Sequence, residues 1–398
     1  MKQHSNLFLK FLFFFILLLS ARNLMAQQAV QEDLEEKSHK HYGYDSGFYV
    51  ETEDGNNRLR FQGLIMPRFT YNFLEAQSDN MTFSIQEGLI RFNGHVFRPT
   101  LKYGFEMNIA TRNAATTTTV CTNPGCTSTA NAVTSESTSG IATLNDFFID
   151  WLPIDEFGIQ FGQYKVPFLI QELTFSGRLE FPERSLANGL FSLTRDIGIA
   201  FHGRVFDKHM GYAIYLMNGD GANNLSANKM PMAGLRLEWN ILGTYTQSES
   251  DVEFSETPNL GVGLAYAYKQ TTSAVEAGTI ASGIKTSNGT LDAGFKYKGF
   301  SIQAVGMATR THTGPSITNW GYNCQVGYFI IPKHFEIAGK AGGAILKGAP
   351  DQFEYALDLN YFINGHSLKL QTDYTLLMNN RGQDLNDHRV RVQAVALF

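Results

Sequence analysis

Five arginines, Arg60, Arg68, Arg91, Arg389 and Arg391, stand in stretches where every other residue is apolar. Guanidinium groups spaced in that way share one face of an extended strand and present planar donors that suit phosphate or carboxylate oxygens. Carboxylates occupy the same kind of position: Glu106, Asp146, Asp150, Glu238, Glu354, Asp358 and Asp373. Two chemistries are open. Arginines facing water draw anions towards them, whereas arginines facing the carboxylates pair with them and stiffen a wall. His95 and His202 fall in no recognisable catalytic constellation, and neither a Gly-x-Ser-x-Gly elbow nor a His-Glu-x-x-His helix occurs. The chain therefore does not read as an enzyme. Cys121 and Cys126 enclose Thr-Asn-Pro-Gly, the pattern of a local loop staple, and nothing nearby completes a metal site. Cys324 lies in a strand-like run as a small apolar side chain. His39 and His41 sit in a solvated polar stretch. No cofactor, metal or nucleic acid is expected.

The elements that must position these charges are strands. From Arg58 to Phe398, successive segments alternate apolar and polar residues. Leu59, Phe61, Ile65, Phe69 and Tyr71 oppose Arg58, Arg60, Gln62, Arg68 and Asn72. Phe353, Tyr355, Leu357, Leu359 and Tyr361 oppose Glu354, Asp358 and Asn360. The last stretch sets Val390, Val392, Ala394, Ala396 and Phe398 against Arg389, Arg391 and Gln393. Very short turns (Pro99-Thr100, Asp207-Lys208, Lys298-Gly299, Asn364-Gly365) take turns with long polar connections such as Asn113–Gly140, Leu169–Thr194 and Asn218–Lys229. One turn on the short side, near Leu242–Thr257, is longer than its neighbours. The segments number sixteen, with both ends on the short-turn side.

Residues 1–26 have the form of a secretory signal: Lys2 and Lys10, the apolar run Phe11–Leu19, then Ala26. Their loss removes three positive charges, Lys2, Lys10 and Arg22, from a formal net charge of −5, a balance that argues against nucleic acid. Residues 27–57 are expected to be a periplasmic lead-in with little structure, and 58–398 the folded unit. With 43% hydrophobic, 17% charged and 13% aromatic residues, the chain is too polar for a helical membrane protein and rich in strand-forming aromatics. The segments exceed the usual length of soluble strands, and aromatics gather at their ends, as at Trp151, Trp239 and Trp320. In hydrocarbon every backbone polar group needs a partner, so such strands cross only as a closed barrel. Sixteen of them enclose water, and the charged faces must line it.

The stretch Gly162–Gly203 (GQYKVPFLIQELTFSGRLEFPERSLANGLFSLTRDIGIAFHG) resembles the phosphate-selective porin family of outer-membrane proteins. The resemblance rests on Val166-Pro167-Phe168, Arg178, Glu183-Arg184-Ser185 and Arg195-Asp196-Ile197-Gly198. It extends to Gly47–Val50, Asp54-Gly55 and the Arg58–Arg68 strand. It implies an all-β, sixteen-stranded transmembrane antiparallel barrel in outer-membrane lipid, usually a homotrimer, and the aromatic Phe398 that closes the last strand resembles the signal read by the outer-membrane assembly machinery. It also implies a third long loop folded into the pore, here about Leu169–Thr194. Gln171, Glu172, Arg178, Glu180, Glu183, Arg184 and Ser185 would then stand at the constriction. The five wall arginines would adjoin across strands sixteen, one and two once the barrel closes. The implied function is diffusion of small hydrophilic solutes, including anions such as phosphate. A non-selective or cation-biased pore, or an adhesin working through Asn113–Gly140, is the alternative.

Overall fold

The computed structural model describes residues 41–110, 142–225, 228, 230–271, 283–380 and 384–398. The expected signal segment, His39, Cys121, Cys126 and Asn113–Gly140 lie outside them.

Two short strands come first, β1 (Tyr42–Tyr44) and β2 (Phe48–Glu51). Sixteen longer ones follow. The first eight are β3 (Arg58–Phe73), β4 (Asn80–His95), β5 (Leu101–Asn108), β6 (Thr143–Ile154), β7 (Phe157–Lys165), β8 (Arg195–Val205), β9 (Met210–Met217) and β10 (Met232–Leu242). The second eight are β11 (Asn259–Gln270), β12 (Lys285–Tyr297), β13 (Phe300–Thr311), β14 (Ile317–Ile331), β15 (Phe335–Ile345), β16 (Gln352–Asn364), β17 (Leu368–Met378) and β18 (Asn386–Leu397). Each of the sixteen pairs antiparallel with its sequence neighbour, and β18 pairs back onto β3. The sheet has no free edge in the wall, which is what a hydrocarbon surround requires.

The alternation sorts as expected. Along β16, Glu354, Ala356, Asp358, Asn360 and Phe362 are buried inside, while Tyr355, Leu357, Leu359 and Tyr361 are exposed outside. The outward residues are apolar because lipid meets them there. Turns on one side are tight: Lys298 and Gly299 alone join β12 to β13, both left-handed with φ of 48° and 79°. That is the conformation a two-residue hairpin needs to match the twist of its strands.

Two parts depart from the expected outline. Residues near the end of the lead-in are structured: β1 and β2 form a hairpin, and β2 pairs with the start of β3 from Phe48↔Phe61 to Glu51↔Arg58. The hairpin thereby extends the wall below the point where β18 ends, because β3 is longer than its partner there. The long turn of residues 243–258 bends into the barrel, where Glu249, Ser250, Asp251 and Val252 are buried.

The third long loop, between β7 and β8, also lies inside. It carries a short helix α1 (Ile170–Leu173), a 3-10 turn (Ser176–Arg178) and helix α2 (Leu186–Phe191). Ser185 caps α2 by accepting the Asn188 N–H at 3.1 Å. Phe191 closes against the inner face of β14, where its ring takes the space a side chain at Gly321 would fill.

Candidate functional site

The loop is fastened along the inner wall formed by β13 to β18 and β3. Asn360 and Gln371 donate to Glu180 O at 2.8 and 2.9 Å, and Lys340 donates to Glu183 O at 3.2 Å. The Lys340 ammonium lies 4.7 Å from the centre of the Phe181 ring and pairs with Glu354 at 3.0 Å. Arg68 spans loop and wall at once: it donates to Gln393 Oε1 at 2.7 Å and Pro182 O at 2.6 Å, and forms an ion pair with Glu183. Arg184 turns inward on its own loop, donating to Gln171 O at 2.7 Å and Thr174 O at 2.8 Å, with Glu172 3.7 Å away.

The loop charges therefore differ in reach. Glu172 and Glu180 are buried, and Glu183 and Arg184 are half-buried and paired. Arg178 is exposed and has no ion pair among the described residues. Burial, together with Glu336 and Glu249 nearby, pushes the Glu180 carboxyl up, while Ser301 and Gln325 each donate to it at 3.1 Å. Burial also works against a charge on Glu183, but Arg68 and Arg391 outweigh it and hold that carboxyl down at about 2.

The five wall arginines do come from three adjoining strands, but most are occupied. Arg391 is buried against Asp373, with its Nε 2.8 Å from Oδ1. Arg91 pairs with Glu106 at 2.9 Å and stacks 4.7 Å from the Phe175 ring centre. Arg60 stands apart at the hairpin end, 2.6 Å from Asp45. Arg389 meets Asn72 Oδ1 at 2.8 Å. Of the two chemistries open in the sequence, pairing accounts for Arg60, Arg68, Arg91 and Arg391. The carboxylates are matched too: Asp146 with Arg195 at 2.8 Å, Asp150 with His202 at 2.8 Å, Glu238 with Arg236 at 2.9 Å. Asp358 is buried with no hydrogen-bond partner on either oxygen.

Arg236, Asp292 and Lys340 were not singled out by sequence, and Arg195 was named only as part of the family motif, although their lumen-facing alternation was available as a signal. Arg236 is the most consequential. It grips Asp292 through two bonds of 2.8 and 3.0 Å and also donates to Phe168 O at 2.8 Å, anchoring the entry of the loop. A cavity of about 320 Å³ opens between that entry, at Pro167 and Leu173, and the wall at His202, Arg204, Arg236 and Glu238.

A barrel of this kind, with an inward third loop and a charged interior, can be placed by comparison. Residues 66–397 match the family model of the phosphate-selective porins O and P. The chain belongs to that family. No curated protein matches this porin by sequence. Among solved structures it is similar to the outer membrane channel DcaP of Acinetobacter baumannii, with a TM-score of 0.59, 11% identity, and 88% of this chain and 99% of that one covered. It is also similar to an anion-selective porin from Comamonas acidovorans, with a TM-score of 0.55, 13% identity, and 85% and 99% covered. The trimer form of OmpT, an outer membrane protein of Vibrio cholerae, aligns with a TM-score of 0.50 and 10% identity over 85% and 99%. At such identities the likeness shows the fold. Family and fold together make this porin a diffusion channel of the bacterial outer membrane rather than an enzyme.

Proposed function

We propose that this porin passes small hydrophilic solutes and favours anions, phosphate among them, along the space that the third loop leaves beside β6–β10. The observation that carries the reading is Arg178. It is the loop charge most open to water, and among the described residues no carboxylate pairs with it, whereas the loop's acidic groups are buried or paired. An uncompensated guanidinium in a narrow, low-dielectric passage raises the local concentration of anions. The 320 Å³ cavity with Arg204 and Arg236 on its wall supports the same side for the path. We further propose a homotrimer in outer-membrane lipid, exported by its signal segment (1–26) and inserted by the outer-membrane assembly machinery, with 27–57 on the periplasmic side and 58–398 as the barrel. The trimer form of the Vibrio cholerae relative supports the assembly.

Planar-bilayer recording of the folded protein across a potassium chloride gradient tests the reading. An anion-biased reversal potential, with conductance reduced by added phosphate, is the expected result. A zero or cation-biased potential overturns the anion preference. Folded protein without conductance steps would favour the adhesin reading instead.

A further inference from the structure

Residues 243–258 enter the barrel from the end opposite to the third loop, and their seating is specific. Tyr245 lies against the inner faces of β11 and β12, at Gly261 and Gly294. A Cβ at Gly294 would come within 2.2 Å of its ring. Lys296 donates to Ser248 Oγ at 2.6 Å and Thr246 O at 3.2 Å, holding the ascending limb. Asp251 accepts the Gly299 N–H at 2.8 Å and the Ser255 N–H at 3.0 Å, and Val252 and Phe254 pack on Phe329 and Phe362. These contacts fix the turn to the wall independently of the loop.

Its tip then meets the loop. The Glu180 N–H donates to Glu249 Oε2 at 2.8 Å, and the Glu249 N–H donates to Arg178 O at 3.3 Å. Ser250 Oγ donates to Glu336 Oε2 at 2.8 Å, tying the same tip to β15. Glu249 and Ser250 are 3% and 1% exposed, so these bonds are made away from bulk water, where a lost partner matters most. The backbone on either side of Leu179 is clamped, and Arg178 is the residue at the clamp whose side chain is free.

We propose that the turn of residues 243–258 is a second constriction element, and that Glu249 is a positioning residue which fixes where the Arg178 guanidinium stands in the water path. The inference rests on the anion-favouring role of Arg178 above. If the loop were held only by its own wall contacts, the turn could change without effect on permeation.

The test uses the full-length barrel carrying Glu249→Ala, Glu249→Gln or Tyr245→Ala, each checked for folding by its heat-modifiable mobility on gels and recorded in planar bilayers across a potassium chloride gradient. Glu249→Ala and Tyr245→Ala should raise single-channel conductance about twofold and move the reversal potential towards zero. Glu249→Gln keeps an acceptor oxygen for the Glu180 amide and should match the wild type. In an Arg178→Gln background, Glu249→Ala should shift the potential no further, because the two changes act through one group. Wild-type conductance and potential in folded Glu249→Ala and Tyr245→Ala overturn the proposal. So does an equal potential shift in the Arg178→Gln background, or a Glu249→Gln variant that behaves like Glu249→Ala. A wild-type channel with no anion bias removes the premise instead, and is seen before any variant is recorded.

Discussion

Phe398 and Gly63 join the two ends of the barrel: the Phe398 N–H donates to Gly63 O at 2.9 Å, and the Gly63 N–H donates to Phe398 O at 2.6 Å. The Phe398 ring lies so close over Gly63 that a Cβ there would come within 2.6 Å of it. Only glycine leaves room for the terminal ring at the seam where the first and last wall strands meet. Gly63→Leu, or deletion of Phe398, should lower the folded fraction several-fold in refolding into detergent or lipid, read as loss of the heat-modifiable band. Phe398→Tyr, which keeps the ring, should fold as the wild type does.

Asp292 and Arg236 are 2% and 3% exposed and bonded to one another through the guanidinium Nη1 and Nη2. Asp292→Ala would leave a buried cation with only Phe168 O and Glu238 to hold it. The expected cost is about 3–5 kcal/mol, visible as a lower denaturant midpoint of the reconstituted barrel. Replacing both partners by apolar residues of similar volume should recover much of that loss, since the penalty comes from the stranded charge.

The alternation that built the wall was legible because each strand faces two different solvents, so period two survives along every segment. The partners of the charges were not legible. Arg68 and Glu183 are 115 residues apart in the chain, and nothing local says that the loop will bring them together. Counting charges along the loop weighs Glu180 and Arg178 equally, yet one is buried and the other meets water. The turn of residues 243–258 was visible as a long connection, but its inward course was not. The lumen-facing Gly261 and Gly294, which make room for Tyr245, were its one available signal. The hairpin of β1 and β2 was hidden because Phe48-Tyr49-Val50 is too short a run to stand out in a charged stretch.

Glu183 sets a pH limit for the loop. Its folded-state carboxyl is held at about 2, below the ordinary carboxylate range, because Arg68 and Arg391 outweigh the effect of burial. A depressed carboxyl stabilises the folded arrangement above its unfolded titration range and loses that contribution as pH falls through the folded value. The stabilisation of the loop by Glu183 should therefore be complete from neutral pH down to about 5, fall progressively below about 4 and be lost at about 2. Amide exchange of residues 183–186 checks this, and exchange that rises already between pH 6 and 5 would contradict it.

Arg178 should respond to charge reversal. Arg178→Glu places a carboxylate where the loop now offers an uncompensated guanidinium, so the reversal potential should cross from the anion to the cation side. Single-channel conductance should change by no more than about twofold, since the backbone clamp is intact. Arg184→Gln is the matched control: that guanidinium is spent on Gln171 O and Thr174 O, so its loss should unsettle the loop without reversing selectivity.

Glu106 predicts a shift of the opposite sign. Its carboxylate accepts from Arg91 Nε at 2.9 Å and from Arg195 Nη2 at 2.9 Å, so one buried acid serves two guanidinium groups on β4 and β8. Asp146 takes the other side of Arg195 at 2.8 Å, which leaves Arg91 with no second carboxylate among the described residues. The Arg91 and Arg195 side chains are 29% and 19% exposed, so both already touch lumen water. Glu106→Gln keeps the shape and one acceptor oxygen but leaves a positive charge that the wild type cancels. The chloride-to-potassium permeability ratio should rise about twofold, in contrast to its fall in Arg178→Glu. A stability loss accompanies the change, because one amide oxygen cannot serve both guanidinium groups and the ion pair that holds Arg91 over Phe175 is gone. An unchanged permeability ratio in a folded Glu106→Gln barrel would mean that these two arginines stand outside the path of the ions.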